Sequence, residues 1–150
     1  MSDQFLILIP EQAGHVPPSA NRESGLECFR KFTSGADEIK TELSDEIRFI
    51  DCGENFEKIS CPVCEKDIQE DWWQEQMSGD FNSGFHLRPI KLPCCGVERN
   101  LHDLSYVWPM GFGRFSMKAM NPKIGKLPDK DLKSIESVMG CPLRVIYQHI

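Results

Sequence analysis

Alternation of apolar and polar residues predicts strands near both ends of the chain. The segment 5–9 is a short apolar run closed by Pro10, which is typical of a buried strand. In the segments 115–119 and 143–147 every second residue is apolar, as expected for strands with one buried face. The segment 38–51 alternates in the same way, and turn residues at 51–55 separate it from Phe56 and Ile59, so we expect two strands or a long hairpin that leads into Cys61.

A spacing of three to four residues between apolar positions predicts a helix inside each half of the chain. The first helix covers residues 19–32, where apolar residues recur at every third position. The second lies between Asp129 and Gly140, and the glycine is well placed to cap its C-terminus. The outer parts of the chain therefore have the order strand, helix, strand twice, which is the order of a ferredoxin-like (βαβ-βαβ) α+β sandwich.

The middle of the chain, about residues 59–108, is predicted to interrupt this sandwich as an insertion. Asp67 and Glu70 have the spacing of a helix-opening capping pair, and Gly79 is expected to end that helix. A strand at residues 86–92 then leads to a second group of cysteines. We expect the whole chain of 150 residues to form a single α+β domain around this insertion.

Composition and charge narrow the class of protein. Hydrophobic residues make up 40% of the chain and charged residues 27%, an ordinary balance for a globular protein. No apolar run is long enough to span a bilayer, and the N-terminus lacks the features of a signal peptide, so we expect a cytoplasmic protein with no membrane partner. A net charge of -6 disfavours binding to nucleic acid. Composition and charge do not indicate an oligomeric state.

Four of the seven cysteines form two close pairs. Cys61 and Cys64 are two residues apart, the spacing that lets one tight turn direct both sulfurs at a single metal ion. Cys94 and Cys95 are adjacent and lie beyond the predicted helix and strand. An odd number of cysteines without an export signal favours reduced, metal-binding thiols over disulfides. We predict one structural Zn²⁺ held by these four cysteines, which makes the insertion similar to a zinc ribbon.

The adjacent second pair leaves the fourth ligand open, because a zinc ribbon normally uses a second pair two residues apart. His102 is the reserve ligand, and His86 is a further candidate for a site with three thiolates and one imidazole. An irregular α+β fold with a zinc ribbon fits the pattern nearly as well as the interrupted sandwich.

Three other interpretations compete for the same cysteines. All four could be small buried packing residues. Cys61 and Cys64 could be an exchangeable redox dithiol, although Cys94 and Cys95 would then have no role. A catalytic zinc would need an open coordination position and a general base, for which Glu65 or Asp103 would be available. We assign no catalytic residue.

Aromatic residues are concentrated around the predicted metal region. Trp73, Tyr106 and Trp108 are candidates for a surface that contacts a partner protein. Packing is the competing interpretation, and we favour it for most of these residues because small metal sites need apolar neighbours to supply a core. Residues 58–108 are net negative, so these aromatic residues do not indicate nucleic-acid binding.

A series of short motifs covers nearly the whole chain. They are Asp45-Glu-Ile-Arg-Phe49, Asn55-Phe-Glu57, Cys61-Pro-x-Cys64, Asp71-Trp-Trp73, Pro93-Cys-Cys-Gly96, Leu101-x-Asp-Leu-x-Tyr-x-Trp-Pro-x-Gly-Phe112 and the C-terminal Leu143-Arg-Val with His149-Ile150. Together they resemble the motifs of an uncharacterised bacterial family whose members are often labelled sugar-transporter ATPases, a label that this sequence contradicts because it has no Walker motif. Similar proteins tend to carry Asn where this chain has His102, so the resemblance favours the adjacent cysteines as ligands.

The sequence contains no recognisable catalytic motif, and the functional hypothesis follows from this. The chain has no phosphate-binding loop and no Gly-x-Ser-x-Gly elbow. We therefore expect a zinc-stabilised, non-enzymatic binding or adaptor protein, for example an immunity-type partner of another bacterial protein. A small metalloenzyme or a thiol-redox protein is the alternative.

Overall fold

The structure is a computed structural model that describes residues 2–150 of the chain. It contains three α-helices and three antiparallel sheets, so the predicted α+β class is confirmed. In chain order the elements are β1 (Gln4–Pro10), α1 (Ser19–Phe32), β2 (Glu38–Ile50), β3 (Lys58–Ser60), β4 (Asp67–Ile68), α2 (Glu70–Asp80), β5 (Ile90–Lys91), β6 (Glu98–Arg99), β7 (Ser105–Val107), β8 (Gly111–Met120), α3 (Asp129–Met139) and β9 (Leu143–His149). A short 3-10 helix, Leu101–Asp103, precedes β7.

The largest sheet has four antiparallel strands in the order β2-β8-β1-β9. Its strands come from both ends of the chain, and α1 and α3 are the helices of two strand, helix, strand units. The structure gives the strand order, and the ferredoxin-like assignment stays a prediction. The predicted insertion boundaries and the single-domain description also stay predictions, and β3 to β7 lie between the two units.

One face of this sheet is covered by α1 and α3. Phe29, Ile135 and Met139 from the helices pack with Leu6 and Leu8 of β1 in one buried cluster. Both helices have the residue range that the apolar spacing predicted. Gly140 caps α3 in the left-handed conformation, with a φ of 82°, as its position predicted.

The opposite face of the same sheet is covered by the segment between β2 and β8. Ile7 and Ile9 of β1 belong to a second buried cluster that also contains Ile59, Trp73 and Leu92 from that segment. Since successive residues of a strand point to opposite faces, β1 must be apolar at every position from residue 6 to 9. The sheet is therefore the middle of three layers.

The chain from residue 38 to Cys61 forms two strands, as predicted, but these strands do not form a hairpin. β2 covers residues 38–50 and β3 covers residues 58–60; β2 pairs with β8, whereas β3 lies between β4 and β7 in another sheet. The pairing of β2 with β8 is irregular between Leu43 and Arg48. At this bulge the Arg114 side chain donates from Nε to the carbonyl oxygen of Ser44 at 3.0 Å, which supports the displaced backbone.

The start of the helix predicted in the insertion is also corrected. Asp67 lies in β4 and does not pair with Glu70 as a cap; α2 begins at Glu70 after Gln69, without a side-chain capping hydrogen bond. The helix ends at Asp80 rather than at Gly79. The capping pattern predicted only a helix from Asp67 onward. The structure has the two-residue strand β4 there first, and α2 follows it.

The predicted strand at residues 86–92 is reduced to the two residues of β5. The backbone before β5 is held instead by the buried carboxylate of Asp80, which accepts hydrogen bonds from the N–H groups of His86, Leu87 and Arg88 at 2.8–3.0 Å. Burial opposes ionisation of Asp80, but these three donors outweigh it and lower the pKa of the carboxyl. A loop bound to one carboxylate thus replaces most of the strand.

Candidate metal centre

The first cysteine pair lies in the turn of the β3–β4 hairpin. Ser60 pairs with Asp67 across the hairpin, and the turn between them is closed by two backbone hydrogen bonds. Cys61 N donates to Lys66 O at 2.9 Å, and Glu65 N donates to Cys61 O at 3.1 Å. Glu65 has a φ of 64°, so the chain reverses within one residue of Cys64.

The sulfur of Cys61 is an acceptor within this turn. The backbone N–H groups of Val63 and Cys64 both lie 3.4 Å from Cys61 Sγ. Burial alone would raise the pKa of the Cys61 thiol, but these two donors and the neighbouring thiols outweigh burial and lower the pKa to about 6. The turn therefore favours the thiolate form, which is the form that binds metals.

The second cysteine pair lies in a turn with the same hydrogen bonds. In the β5–β6 hairpin Leu92 N donates to Val97 O and Gly96 N donates to Leu92 O, both at 3.0 Å. Gly96 has a φ of 75°, close to that of Glu65. The two turns therefore correspond residue by residue, with Cys61-Pro-Val-Cys-Glu-Lys66 matching Leu92-Pro-Cys-Cys-Gly-Val97.

This correspondence accounts for the adjacent cysteines. Cys95 has the position that Cys64 has in the first turn, but Leu92 stands where the first turn has Cys61. Leu92 is buried in the core, and the second thiol of the pair comes instead from Cys94, at the position of Val63. The second turn thus has the same backbone hydrogen bonds as the first, with one of its two thiols displaced by two residues.

The two turns bring all four sulfurs together. The Sγ atoms of Cys61, Cys64, Cys94 and Cys95 all lie within 4.8 Å of one another. The Cys61 and Cys95 sulfurs are 3.8 Å apart, which matches the separation of about 3.8 Å between two sulfurs bound tetrahedrally at about 2.3 Å from one zinc-sized ion. Cys61 is buried and Cys95 is exposed, so the cluster lies at the surface of the core. These four residues can hold a metal ion.

Cys94 differs from Cys61 in its protonation. Burial and the thiols of Cys64 and Cys61, to which Cys94 donates, raise its pKa to about 12. The surroundings therefore favour the thiolate at Cys61 and disfavour it at Cys94. A bound cation would have to displace the Cys94 proton, so metal binding at this centre releases protons.

The reserve ligand His102 lies outside the sulfur cluster. Its Nε2 is 2.6 Å from the carbonyl oxygen of Glu11, and its Nδ1 accepts a hydrogen bond from Phe112 N at 2.9 Å. Both ring nitrogens therefore have other partners, and Nε2 must carry the proton. His86, the further candidate, is bound to the carbonyl oxygen of Asn82 at 2.9 Å.

Arg144 completes the buried network around His102. Its Nη1 donates to the carbonyl oxygens of Met110 and His102 at 2.9 and 3.1 Å, and its guanidinium forms an ion pair with Glu11. Burial and the charge of Arg144 both lower the pKa of His102. No sequence pattern pointed to this network, because Glu11 and Arg144 are brought together only by the pairing of β1 with β9.

The structure corrects the predicted aromatic partner surface. Trp73 and Tyr106 are buried, so neither is available to a partner. Trp73 Nε1 donates to Tyr106 Oη at 3.0 Å, and that hydroxyl donates to the carbonyl oxygen of Leu101 at 2.6 Å. These hydrogen bonds satisfy the polar groups of both buried side chains. Trp108 is different: it is 37% exposed, and its ring packs edge-on against Tyr147.

The two candidate general bases have different surroundings. Glu65 is exposed in the first metal-binding turn. Asp103 closes a capping box with Asn100 at the 3-10 helix, where Asn100 Oδ1 accepts from the N–H groups of His102 and Asp103 at 3.0 and 3.1 Å. Asp103 therefore has a structural role at the end of a helix.

Comparison of the chain with known protein families, with curated proteins and with solved structures finds no match. Within residues 2–150, each helix is too short or too polar to cross a membrane. The interpretation of the metal centre therefore rests on its geometry.

The correspondence of the two turns predicts the outcome of moving the displaced ligand back. Cys94→Val alone should weaken metal binding by more than about tenfold, because one of four thiols is lost. Adding Leu92→Cys should restore binding, since residue 92 has the position of Cys61 and residue 94 then matches Val63. Titration with a competing chelator measures both affinities. A double variant that binds no better than the single one would contradict the correspondence.

The His102 network predicts a specific pH dependence of stability. Since the folded state lowers the pKa of His102, its contribution to stability is complete above about pH 6.5 and is lost as the pH falls through the lowered value. His102→Asn should keep an acceptor for Phe112 N and remove this titration, whereas His102→Ala should cost about 1–3 kcal/mol by leaving that donor unpaired. Urea unfolding between pH 7.5 and 5 measures both.

The comparison of wild type with His102→Asn is the informative one, because protonation of the metal-binding thiols affects both proteins equally. Parallel pH profiles for the two proteins would refute a role for His102 in the pH dependence.

Proposed function

We propose that this chain is a zinc-stabilised, non-enzymatic binding or adaptor protein. The observation that carries the proposal is the arrangement of the four cysteine sulfurs within 4.8 Å of one another. Four protein thiolates fill all four positions of a tetrahedral zinc site and leave none for water or substrate, which is the composition of a structural site. The metal would then stabilise the fold rather than take part in a reaction.

Zinc is the metal that the ligand set favours. Four thiolates in tetrahedral arrangement suit Zn²⁺ or iron, and sites of this kind built on two turns are common for structural zinc. The spacing of 3.8 Å between the Cys61 and Cys95 sulfurs supports a single ion. A purified protein that carries one equivalent of iron in place of zinc would overturn the assignment of the metal.

A structural role also follows from the size of the hairpins that carry the ligands. The β5–β6 sheet has only two strands of two residues each, and β3 pairs with β4 over two residues and with β7 over three. Two-stranded ladders of this length are not stable alone in water. A metal that joins both turns would fix them against the core formed by Ile59, Ile68 and Leu92, and so keep the second face of the large sheet covered.

The binding part of the proposal rests on Trp108. Trp108 is a large aromatic side chain that stays exposed while Trp73 and Tyr106 are buried. Aromatic residues at a surface are frequent anchors of protein interfaces. Membership of the bacterial family with the Cys-Pro-x-Cys and Pro-Cys-Cys-Gly motifs, and an immunity-type role in the cytoplasm, are parts of the same proposal.

A thiol-redox protein is the second candidate, and one observation favours it. Cys95 is exposed and its sulfur lies 3.8 Å from that of Cys61, whose pKa is lowered to about 6. Reversible formation of a disulfide in a metal-free protein would favour this candidate. Retention of one zinc per chain under reducing and oxidising conditions would exclude it.

Removal of the metal predicts unfolding of the segment between β2 and β8. Chelation or Cys61→Ser should lower the melting temperature by about 10 °C or more, because structural zinc binding is coupled to folding. Cys28→Ser is the matched control, since Cys28 lies on α1 outside the cluster and should leave zinc content unchanged. Circular dichroism and metal analysis give both readouts. An unchanged melting temperature after complete chelation would refute the structural role.

Exposure of Trp108 predicts a partner that depends on it. The zinc-loaded chain, used as bait in its native host, should recover the same protein repeatedly, and Trp108→Ala should reduce that recovery by about tenfold. Val138→Ala removes another exposed apolar side chain, on α3, and should leave recovery unchanged. Quantitative mass spectrometry compares the three baits. Consistent recovery of no partner would sink the proposed function.

A further inference from the structure

The four thiols of the metal centre differ in their access to solvent. Cys61 is buried, with 1% of its surface exposed, Cys64 and Cys94 are half-buried, and Cys95 is exposed. A metal ligand must be a thiolate, so a bound metal keeps all four sulfurs in their nucleophilic form. Susceptibility of a thiolate to an oxidant from solvent then follows its exposure. Cys95 is therefore the ligand at which oxidation begins.

The exposed thiol has a partner thiol in the other turn. The Sγ atoms of Cys95 and Cys61 lie 3.8 Å apart, although the two residues belong to different hairpins. A movement of about 2 Å brings these sulfurs to the bonding distance of a disulfide, about 2.05 Å. Both cysteines lie in turns, where side chains can make such a movement without a change in strand pairing. The geometry thus favours a disulfide that crosses from one turn to the other.

The adjacent pair is poorly suited to the same bond. Cα atoms of neighbouring residues lie about 3.8 Å apart, whereas the Cα atoms of a disulfide usually lie about 4.4–6.8 Å apart. A bond between Cys94 and Cys95 would therefore be strained. An oxidised Cys95 reacts more easily with Cys61, whose sulfur is already within hydrogen-bond distance of it.

A disulfide between Cys61 and Cys95 would join the same two turns that a metal joins. The two residues are 34 positions apart, and a cross-link over a loop of this length stabilises the fold by restricting the unfolded chain. Ile59 of the first hairpin and Leu92 of the second turn are buried in one core cluster, so both turns already contact the same core. The disulfide can therefore hold the two hairpins together without a metal.

The same bond would remove two of the four metal ligands. One thiol would remain in each turn, at Cys64 and at Cys94, whereas a structural zinc site has four protein ligands. The nearby histidines are bound elsewhere: His86 Nε2 lies 2.9 Å from the Asn82 carbonyl oxygen, and His102 has a backbone partner at each ring nitrogen. Two thiols are too few to hold zinc tightly, so the disulfide and the metal exclude each other.

We propose that Cys95 is a peroxide-modification site and that a Cys61–Cys95 disulfide replaces zinc as the cross-link between the two turns. The inference rests on the proposed zinc-stabilised function and adds regulation of the same site. It differs from a thiol-redox enzyme because the disulfide forms within one chain and no substrate disulfide is reduced. Zinc is released while the segment between β2 and β8 stays on the sheet.

The reaction with hydrogen peroxide balances in two steps. The Cys95 thiolate attacks one peroxide oxygen, the O–O bond breaks, and Cys95 becomes a sulfenic acid as hydroxide leaves. The Cys61 thiolate then attacks the Cys95 sulfur, the S–O bond breaks, and a second hydroxide leaves. Each sulfur is oxidised by one electron and both peroxide oxygens are reduced. One peroxide is thus consumed for each disulfide formed.

Titration of the full zinc-loaded chain with hydrogen peroxide tests the proposal. A chromogenic zinc indicator should report one zinc ion released for each equivalent of peroxide, and a thiol reductant with added zinc should restore the loaded chain. The remaining thiols are then alkylated and the chain is digested. Tandem mass spectrometry should find Cys61 linked to Cys95, with alkyl groups on Cys64 and Cys94.

Cys95→Ser and Cys64→Ser form a matched pair of variants, because the two residues have the same position in the two turns and each variant loses one metal ligand. At saturating zinc, Cys95→Ser should lose free thiols to peroxide more slowly than the wild type by about tenfold or more. Cys64→Ser should react at least as fast as the wild type, because it keeps both Cys95 and Cys61.

The melting temperature separates a replaced cross-link from a lost one. The oxidised, zinc-free chain should melt about 5 °C or more above the reduced chain from which zinc has been removed by a chelator, because the disulfide joins the two turns. Circular dichroism measures both melting temperatures.

Three results would each overturn the proposal: zinc that is retained at one equivalent of peroxide, a disulfide that does not include Cys95, and an oxidised chain that melts no higher than the reduced, chelated chain. If one of them occurs while chelation still lowers the melting temperature, the structural role of zinc stands and only the redox inference is wrong. Chelation that leaves the melting temperature unchanged would mean that the proposed function itself is wrong.

Discussion

The constraint on which the rest of the structure depends is that the central strand β1 is apolar on both faces. Leu6 and Leu8 are covered by helices that the chain builds without help, since α1 and α3 are regular and pack directly on the sheet. Ile7 and Ile9 have to be covered by the segment between β2 and β8, which has one helix and strands of two or three residues. A metal ion bound by the four thiols at its base would join two of its short hairpins and so help to hold this segment on the sheet.

The same constraint explains which parts of the fold could be predicted from the sequence. Elements with long periodic patterns, such as α1 and α3, were predicted over their full length, and Gly140 marked the end of α3 because its left-handed conformation suits glycine. Short elements have too few residues to show a period, so β4, β6 and β7 were missed. Most of the strand predicted at residues 86–92 is instead a loop that is bound to the buried Asp80 carboxylate. The three backbone N–H groups that donate to this carboxylate can be recognised only in the folded structure.

Some parts of the candidate site could be predicted from local sequence patterns, and others could not. The spacing of Cys61 and Cys64 reports the turn geometry directly, so this pair was predictable. The adjacency of Cys94 and Cys95 looked irregular until the hydrogen bonds of the second turn matched it to the first, with Leu92 at the place of a cysteine. The surroundings of His102 depend on Glu11 and Arg144, which meet only through the β1–β9 ladder, and no local pattern reports a contact of that kind. Exposure of aromatic residues was equally invisible, since Trp73 and Trp108 look alike in the sequence.

The position of β1 in the middle of the sheet has a consequence for how the chain is made. Its two partners begin only at residue 111 (β8) and at residue 143 (β9), so a nascent chain carries an unpaired strand that is apolar on both sides for most of its synthesis. Short apolar segments of high β propensity without charge are the ones that aggregate when exposed. The hairpins at residues 58–68 and 90–99 are complete before either partner strand exists, so a metal-loaded segment between β2 and β8 can form early and shield one face of the waiting strand. Metal supply would then govern yield during translation as well as the stability of the finished protein.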